Sequence, residues 1–356
     1  MYFLTLQKLD NNFFFIFVKL KLRKNLFMLT KLSRIFIAIS ACFFISNEAH
    51  AQDPAFSQFY ANPLYLNPAF AGATADGCPR VNLNYRDQWP GIGRTYVTYS
   101  VSWDQHVEAI GGGLGVLIAQ DRSGSGNLNT THASLLYSYH LAVNNTFSIK
   151  AGFEASYRSI SLNWNDLKFG DMIHPQYGFY YPTSEDINNN ASTISFPDFS
   201  AGFIGYTKNL FFGASAHHLT SPNQGFISES QLPTKITAHI GGNIPLSKYS
   251  NKQTIIAPNF LYQKQQDFQQ FNYGLYVYRG PIVGGLWARN SMKNFDSFIL
   301  MIGLIQDSFK FGYSYDITIS NLKNSNTLGA HELSITLFMP CRSRSKSFNT
   351  ISCPQF

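Results

Sequence analysis

The sequence predicts an all-β protein: a transmembrane, antiparallel, up-and-down β-barrel of about 14 strands, preceded by a short plug-like segment. Three observations carry that expectation. First, apolar and polar residues alternate with period two along stretches longer than an ordinary strand. Second, charged residues make up only 13% of the 356 and aromatic ones 16%, at a mean hydropathy of −0.11, whereas soluble domains average about 25% charged. No run of about 18 apolar residues occurs beyond the N-terminal region, so any membrane crossing falls to strands, whose alternation hides their apolar content. Third, the connections between strands alternate between short and long.

The elements follow in chain order. Residues 1–51 read as a leader. Lys31 and Arg34 precede an apolar stretch from Ile35 to Ile45, and Ala49-His50-Ala51 places small residues before a cleavage between Ala51 and Gln52. This is the pattern of a secretory signal peptide, with Met28 as its start. The apolar stretch is shorter than the ~20 residues of a spanning helix. Ile39-Ser40-Ala41-Cys42 has the look of a lipidation site, but two phenylalanines follow the cysteine and the Ala-His-Ala site lies downstream. Removing the leader takes away seven of the 27 Lys/Arg and two of the 20 acids, so the mature chain is close to neutral. The basic balance therefore gives no argument for nucleic acid. Cys78, Cys341 and Cys353 remain, an odd number in an exported chain.

Residues 52–79 form an N-terminal segment on the periplasmic side. It carries two Asn-Pro pairs, Asn62-Pro63 and Asn67-Pro68, among Phe59, Tyr60, Tyr65 and Phe70. The prolines forbid a continuous helix and bias the preceding asparagines toward extended or turn geometry. A compact, kinked element follows, with apolar side chains to rest against the barrel mouth, the lumen or another protein.

The barrel is expected over 80–339. In 146–158, Phe147, Ile149, Ala151, Phe153, Ala155 and Tyr157 share one face, while Lys150, Glu154 and Arg158 share the other with small residues. Such a strand matches the ~9–11 residues of a tilted membrane crossing. The pattern recurs at 95–103, 132–141, 309–316 and 331–339, and more weakly at 80–88, 112–120, 198–206, 210–219, 235–244, 254–263, 270–279, 282–290 and 296–305. With the N-terminus inside, short turns at 143–146, 207–209, 279–281 and 306–308 fall on the periplasmic side. Long connections at 121–130, 159–197, 220–234 and 318–330 fall outside, the phasing of an outer-membrane barrel. Residues 246–253 are long for an inner turn. Residues 340–356 read as a short periplasmic tail. A soluble sandwich also alternates, but it needs neither strands this long nor aromatics turned outward.

No catalytic, metal or cofactor motif stands out. Gly111–Gly115 precedes a strand and reads as a flexible turn. His217 and His218 are neighbours on a strand, so their rings are expected on opposite faces. His174 has acids nearby, and a solvated loop is its default reading. Lys150, Glu154 and Arg158 stand about 13 Å apart along their strand; they are expected to meet charges from other strands across a polar lumen. Loop 159–197, with Tyr177, Phe179, Tyr180 and Tyr181, either binds a partner or folds over the mouth.

The stretch QDPAFSQFYANPLYLNPAFAG (52–72) resembles the N-terminal signature of the PorP/SprF family of type IX secretion and gliding-motility proteins of Bacteroidota. GGGLGVLIAQDRSG (111–124), GAHELSI (329–335) and CPQF (353–356) extend the resemblance across the mature chain. It implies a non-enzymatic outer-membrane barrel without cofactor, in a Gram-negative cell. The implied partners are outer-membrane lipid, the type IX machinery and a secreted surface protein, such as an adhesin, with a C-terminal targeting domain. The residues that carry over are Gln58, Tyr60, Asn62, Pro63, Asn67, Pro68 and Gly72, as holders of a plug or as a partner contact. The alternative function is a porin or transporter for small or hydrophobic solutes.

Overall fold

A computed structural model describes residues 53–340, except 75–76, 93–95, 125–126, 145, 185–190, 247–253, 293 and 320–323. The expected signal peptide, its cleavage site at Ala51 and Gln52, and the tail with Cys341 and Cys353 lie outside the described residues.

Fourteen long strands form the wall. They are β1 (Arg80–Gln88), β2 (Tyr96–Val107), β3 (Gly112–Ser123), β4 (Leu128–Ala142) and β5 (Ser148–Leu162). β6 (Thr193–Tyr206), β7 (Leu210–His217), β8 (Lys235–Gly242), β9 (Thr254–Gln265) and β10 (Phe268–Arg279) follow. β11 (Ile282–Ser291), β12 (Phe295–Ile305), β13 (Phe309–Thr318) and β14 (Ala330–Phe338) complete the wall. Every strand pairs antiparallel with the next, and β14 returns to β1 with Arg80 opposite Phe338 and Gln88 opposite Ala330. The sheet therefore has no open edge along its membrane-crossing length, which is what lets strands satisfy their backbone groups in lipid.

Burial is inside out relative to a soluble protein. Leu83, Tyr99, Val101, Leu135, Tyr137, Phe153 and Tyr157 are exposed on the outer face, while Asn82, Asn84, Arg86, Ser100, Ser102 and Asp104 are buried inside. The lumen is not uniformly polar. On β9 to β12, Leu261, Tyr276, Val283, Trp287 and Ile299 also face inward and join one apolar cluster with Phe59, Tyr60, Leu64 and Phe70.

Two of the expected long connections are shorter in the structure. The loop expected at 121–130 shrinks to 124–127, and that at 159–197 to 163–192, because β3 to β6 run farther. In these extensions the two faces exchange character. The outward row Leu135, Ala155, Phe199 is apolar, whereas the rows Thr131, Ser159, Ser195 and Asn129, Ser161, Thr193 are polar. Inward, the charged Arg158 gives way to Ile160, Ile194 and Phe196, which pack with Leu232, Leu128 and Phe226 of a second small core. A sheet that is polar outside and apolar inside is built for water, so the lipid boundary runs near Tyr157 and β4 to β6 rise beyond it. At the same end β7 and β8 have only 8 residues each, and the loop between them supplies Phe226 and Leu232.

Candidate functional site: the seated N-terminal segment

Residues 53–73 lie inside the lumen, and their path runs nearly its whole height. Asp53 meets Gln265 and His218 at the long-loop end; Gly72 meets Asp104 at the short-turn end. The segment is thus not confined to the periplasmic side, as the sequence position suggested. Its chain direction is opposite to that of β1, which it enters at the short-turn end.

The local structure follows from the Asn-Pro pairs. Single turns form at Phe59–Ala61, Pro63–Leu66 and Pro68–Phe70, with each proline at the first helical position, where its missing N–H costs nothing. Asn67 is extended (φ −159°) and its side-chain oxygen accepts the Ala69 N–H at 3.0 Å, a short N-cap. Tyr65 folds back, its hydroxyl donating to Pro54 O (2.8 Å) and its ring standing edge-on to Phe56.

All seven signature residues are buried against the wall or the segment itself. The Gln58 amide donates to Glu332 O (2.9 Å) and accepts from the Ser334 hydroxyl (2.6 Å), while its N–H donates to the Glu332 carboxylate (3.1 Å). Tyr60 packs edge-on against Phe211. Asn62 donates to the Ser100 hydroxyl (2.7 Å). Asn67 donates to the carbonyls of Phe203 (3.2 Å) and Ala214 (3.1 Å), on facing positions of β6 and β7. Gly72 has φ +60° and donates its N–H to Asp104 (2.8 Å); a methyl there would strike Gly113 and the backbone of β2.

The wall is shaped to receive the segment. A Cβ on Gly113, Gly152 or Gly202 would overlap Ala71, Ala69 or Asn67, respectively. The run at 111–115 is therefore not simply a flexible turn: Gly111 makes the turn (φ +61°), and Gly113 is a strand residue kept bare so that the segment can approach.

Two charged clusters clamp the upper half. Ser57 sits between two arginines and two acids. Its hydroxyl donates to Asp316 (2.6 Å) and accepts from Arg86 (2.5 Å) and Arg289 (2.8 Å), and its N–H donates to Glu332 (2.6 Å). Arg86 also pairs with Asp316 (3.1 Å) and Glu332 (3.2 Å), and Arg289 with Asp316 (2.9 Å), so two cationic side chains face two acidic ones. In the second cluster Asp53 accepts from Arg158 (3.1 Å), and His218 bridges Asp53 and Asp198, each ring nitrogen 2.5 Å from a carboxylate oxygen. A carboxylate on both nitrogens requires both to carry a proton, making the ring an imidazolium. Burial alone would raise the Asp53 carboxyl, but His218, Arg158 and Lys235 bring it well below its usual range. Burial would likewise lower His218, but Asp53 and Asp198 hold it above its usual value.

The three lumenal charges on β5 meet different partners. Lys150 donates to Ala71 O (2.7 Å), Glu154 lies 3.7 Å from His217, and Arg158 holds Asp53. Two of them therefore contact the N-terminal segment rather than another strand. The expected opposition of His217 and His218 fails, because His218 has φ +59° and the left-handed backbone turns both rings inward. His174 accepts N–H bonds from Gln176 and Tyr177 inside its own loop, where Tyr177, Tyr180 and Tyr181 gather around it on the surface. Cys78 is disulfide-bonded. Asp53, Ser57, Arg86, Arg289, Asp316 and Glu332 were not singled out by sequence. The available signal was the placing of a full charge on the small-residue face of β1, β11, β13 and β14.

Closed topology and an apolar outer belt define an outer-membrane β-barrel, here with the chain's own N-terminal segment in its lumen. A profile of the family described as "Type IX secretion system membrane protein PorP/SprF" matches residues 48–337, and the chain belongs to that family. No curated protein matches it. Among solved structures it is similar to the CymD monoaromatic hydrocarbon channel, at 12% identity over 79% of this chain and 93% of that one, with a TM-score of 0.43. It is also similar to a Pseudomonas aeruginosa FadL homologue, at 11% identity over 77% and 93%, TM-score 0.40. The Acinetobacter baumannii outer membrane protein Omp33 matches at 10% identity over 74% and 100%, TM-score 0.40.

Proposed function

We propose that this barrel is a non-enzymatic component of type IX secretion that docks or retains a partner protein, such as an adhesin with a C-terminal targeting domain, at the cell surface. In this reading residues 53–73 are a resident plug. The observation that carries it is the burial of every signature residue, which leaves none of them exposed to greet a partner. Partner contact then belongs to the water-exposed end, where β4 to β6 rise beyond the lipid and the Tyr177–Tyr181 loop is exposed. A porin or solute transporter is the weaker reading, since a filled lumen favours holding over conduction. Deleting the gene tests the proposal. Loss of a surface protein with a C-terminal targeting domain from the cell exterior, with its synthesis unchanged, is the expected result; undiminished display of all such proteins would refute the docking role.

A further inference from the structure

Among the described residues, the longest stretch in which a wall strand outruns its neighbour lies on β6. β6 pairs with β5 from Thr193 onward, yet with β7 only from Ala201 to Tyr206. Above that, the Leu219 N–H donates to Phe199 O at 3.0 Å. The Phe199 carbonyl therefore points to the β7 side, and period two turns the backbone groups of Thr193, Ser195 and Pro197 the same way. Among the described residues no strand pairs with β6 there. Pro197 fits this arrangement, because a proline is tolerated in a sheet where its missing N–H would face an open edge. Thr193, Ser195 and Pro197 are all exposed.

We infer that the Thr193–Pro197 edge of β6 is a docking strand, to which an extended segment of a partner protein adds by backbone hydrogen bonds. The inference rests on the docking role proposed above and names its contact. The edge offers two N–H and three C=O groups in the pattern used by β-augmentation. It is held rigid from behind, since Ile194 and Phe196 pack on Ile160, Leu232 and Phe226, and Ser195 donates to the Ser159 hydroxyl across the outer face (3.0 Å). It also lies beyond the lipid boundary, where an aqueous chain can reach it. A second copy of this chain does not fit. Two identical antiparallel edges need a twofold axis across the strands, which would turn one copy upside down in the membrane.

The test uses the purified full-length barrel in detergent and, as probe, the isolated C-terminal targeting domain of a surface protein whose display is lost when this gene is deleted. Amide exchange of Thr193 and Ser195 should be fast in the barrel alone and at least about tenfold slower with the domain bound. Ser195→Pro removes one edge N–H without touching the β5 ladder and should weaken binding by about tenfold. Ser195→Ala, which leaves the backbone intact, should bind within about twofold of the parent. Thr193→Pro repeats the backbone deletion at the other N–H, and each variant is first shown to keep its heat-modifiable gel mobility. If the domain binds while 193–197 stays unprotected, or if both proline variants bind like the parent, the edge is not the contact and the docking role stands without it. Slow exchange of these amides in the barrel alone also refutes the inference, for the chain then covers its own edge. If the domain does not bind at all, the docking role falls and the inference falls with it.

Discussion

Deleting residues 53–73 should convert a silent barrel into a conducting one. Fourteen strands about 4.8 Å apart and tilted by about 40° enclose a backbone cylinder of radius about 14 Å. Allowing roughly 6 Å for side chains on each side, the empty lumen would be about 16 Å wide, between the filled eight-stranded barrels and the aqueous porins. The segment occupies that space with Phe56, Phe59, Tyr60, Leu64, Leu66 and Phe70, all at most 5% exposed. The ladder from β1 to β14 does not run through the segment, so the wall should still close without it. Single-channel recording in planar bilayers is the assay: the intact protein should stay shut and the deletion should open steadily. Gly202→Leu, whose side chain would occupy the place of Asn67, should produce intermittent openings without removing any residue. Steady conductance from the intact protein would refute the plugging argument, as would a folded, heat-modifiable deletion variant that remains silent.

Three further outcomes are expected. Glu332→Leu leaves Arg86 and the N–H groups of Ser57 and Gln58 short of a buried acceptor and should destabilise the seated segment by about 3–5 kcal/mol, read as faster amide exchange over 56–60. The Asp53–His218 contact should hold best between about pH 4 and 6.5. Asp53, depressed below 3.8, contributes above its ordinary value and loses its contribution as pH falls through the depressed one; His218, raised above 6.5, contributes fully below 6.5 and loses it as pH rises through the raised value. Exchange rates over 53–56, corrected for intrinsic pH dependence, should therefore climb on the alkaline side, and His218→Gln should remove that limb. Finally, Phe153→Lys on the lipid face should cost about 2–4 kcal/mol and impair assembly, whereas Ser159→Lys beyond the boundary should cost almost nothing; equal effects in urea unfolding from detergent would place the boundary elsewhere.

The strands were legible because lipid imposes a strict rule on them. Phe153 and Lys150 cannot exchange faces, so alternation fixes both the strand and its orientation. All 14 stretches read from the sequence correspond to wall strands. The same rule hid the extensions: Thr193 to Pro197 also alternate, but with polar residues outward and Ile194 and Phe196 inward, which read as loop beside a membrane strand. His218 escaped for a local reason, since a positive φ at a non-glycine residue leaves little mark in sequence.

The site was legible as a motif and not as a place. Asn67 and Gly72 announce a kinked element, but nothing local says that Asn67 will meet Phe203 and Ala214, or that Gly202 is bare to admit it. Ser57 drew no attention, although four charged side chains converge on it from β1, β11, β13 and β14.

The sequence by itself determined the compartment expected of the chain, the strand number and the side of the sheet that meets lipid, because these depend on composition and on periodicity over a dozen residues. Tertiary structure alone decided that the N-terminal segment climbs the lumen, which charges clamp it, and where β6 is left without a neighbour. Those features arise from closure, which brings together residues more than two hundred positions apart, such as Ser57 and Glu332, and no short-range pattern encodes such a meeting.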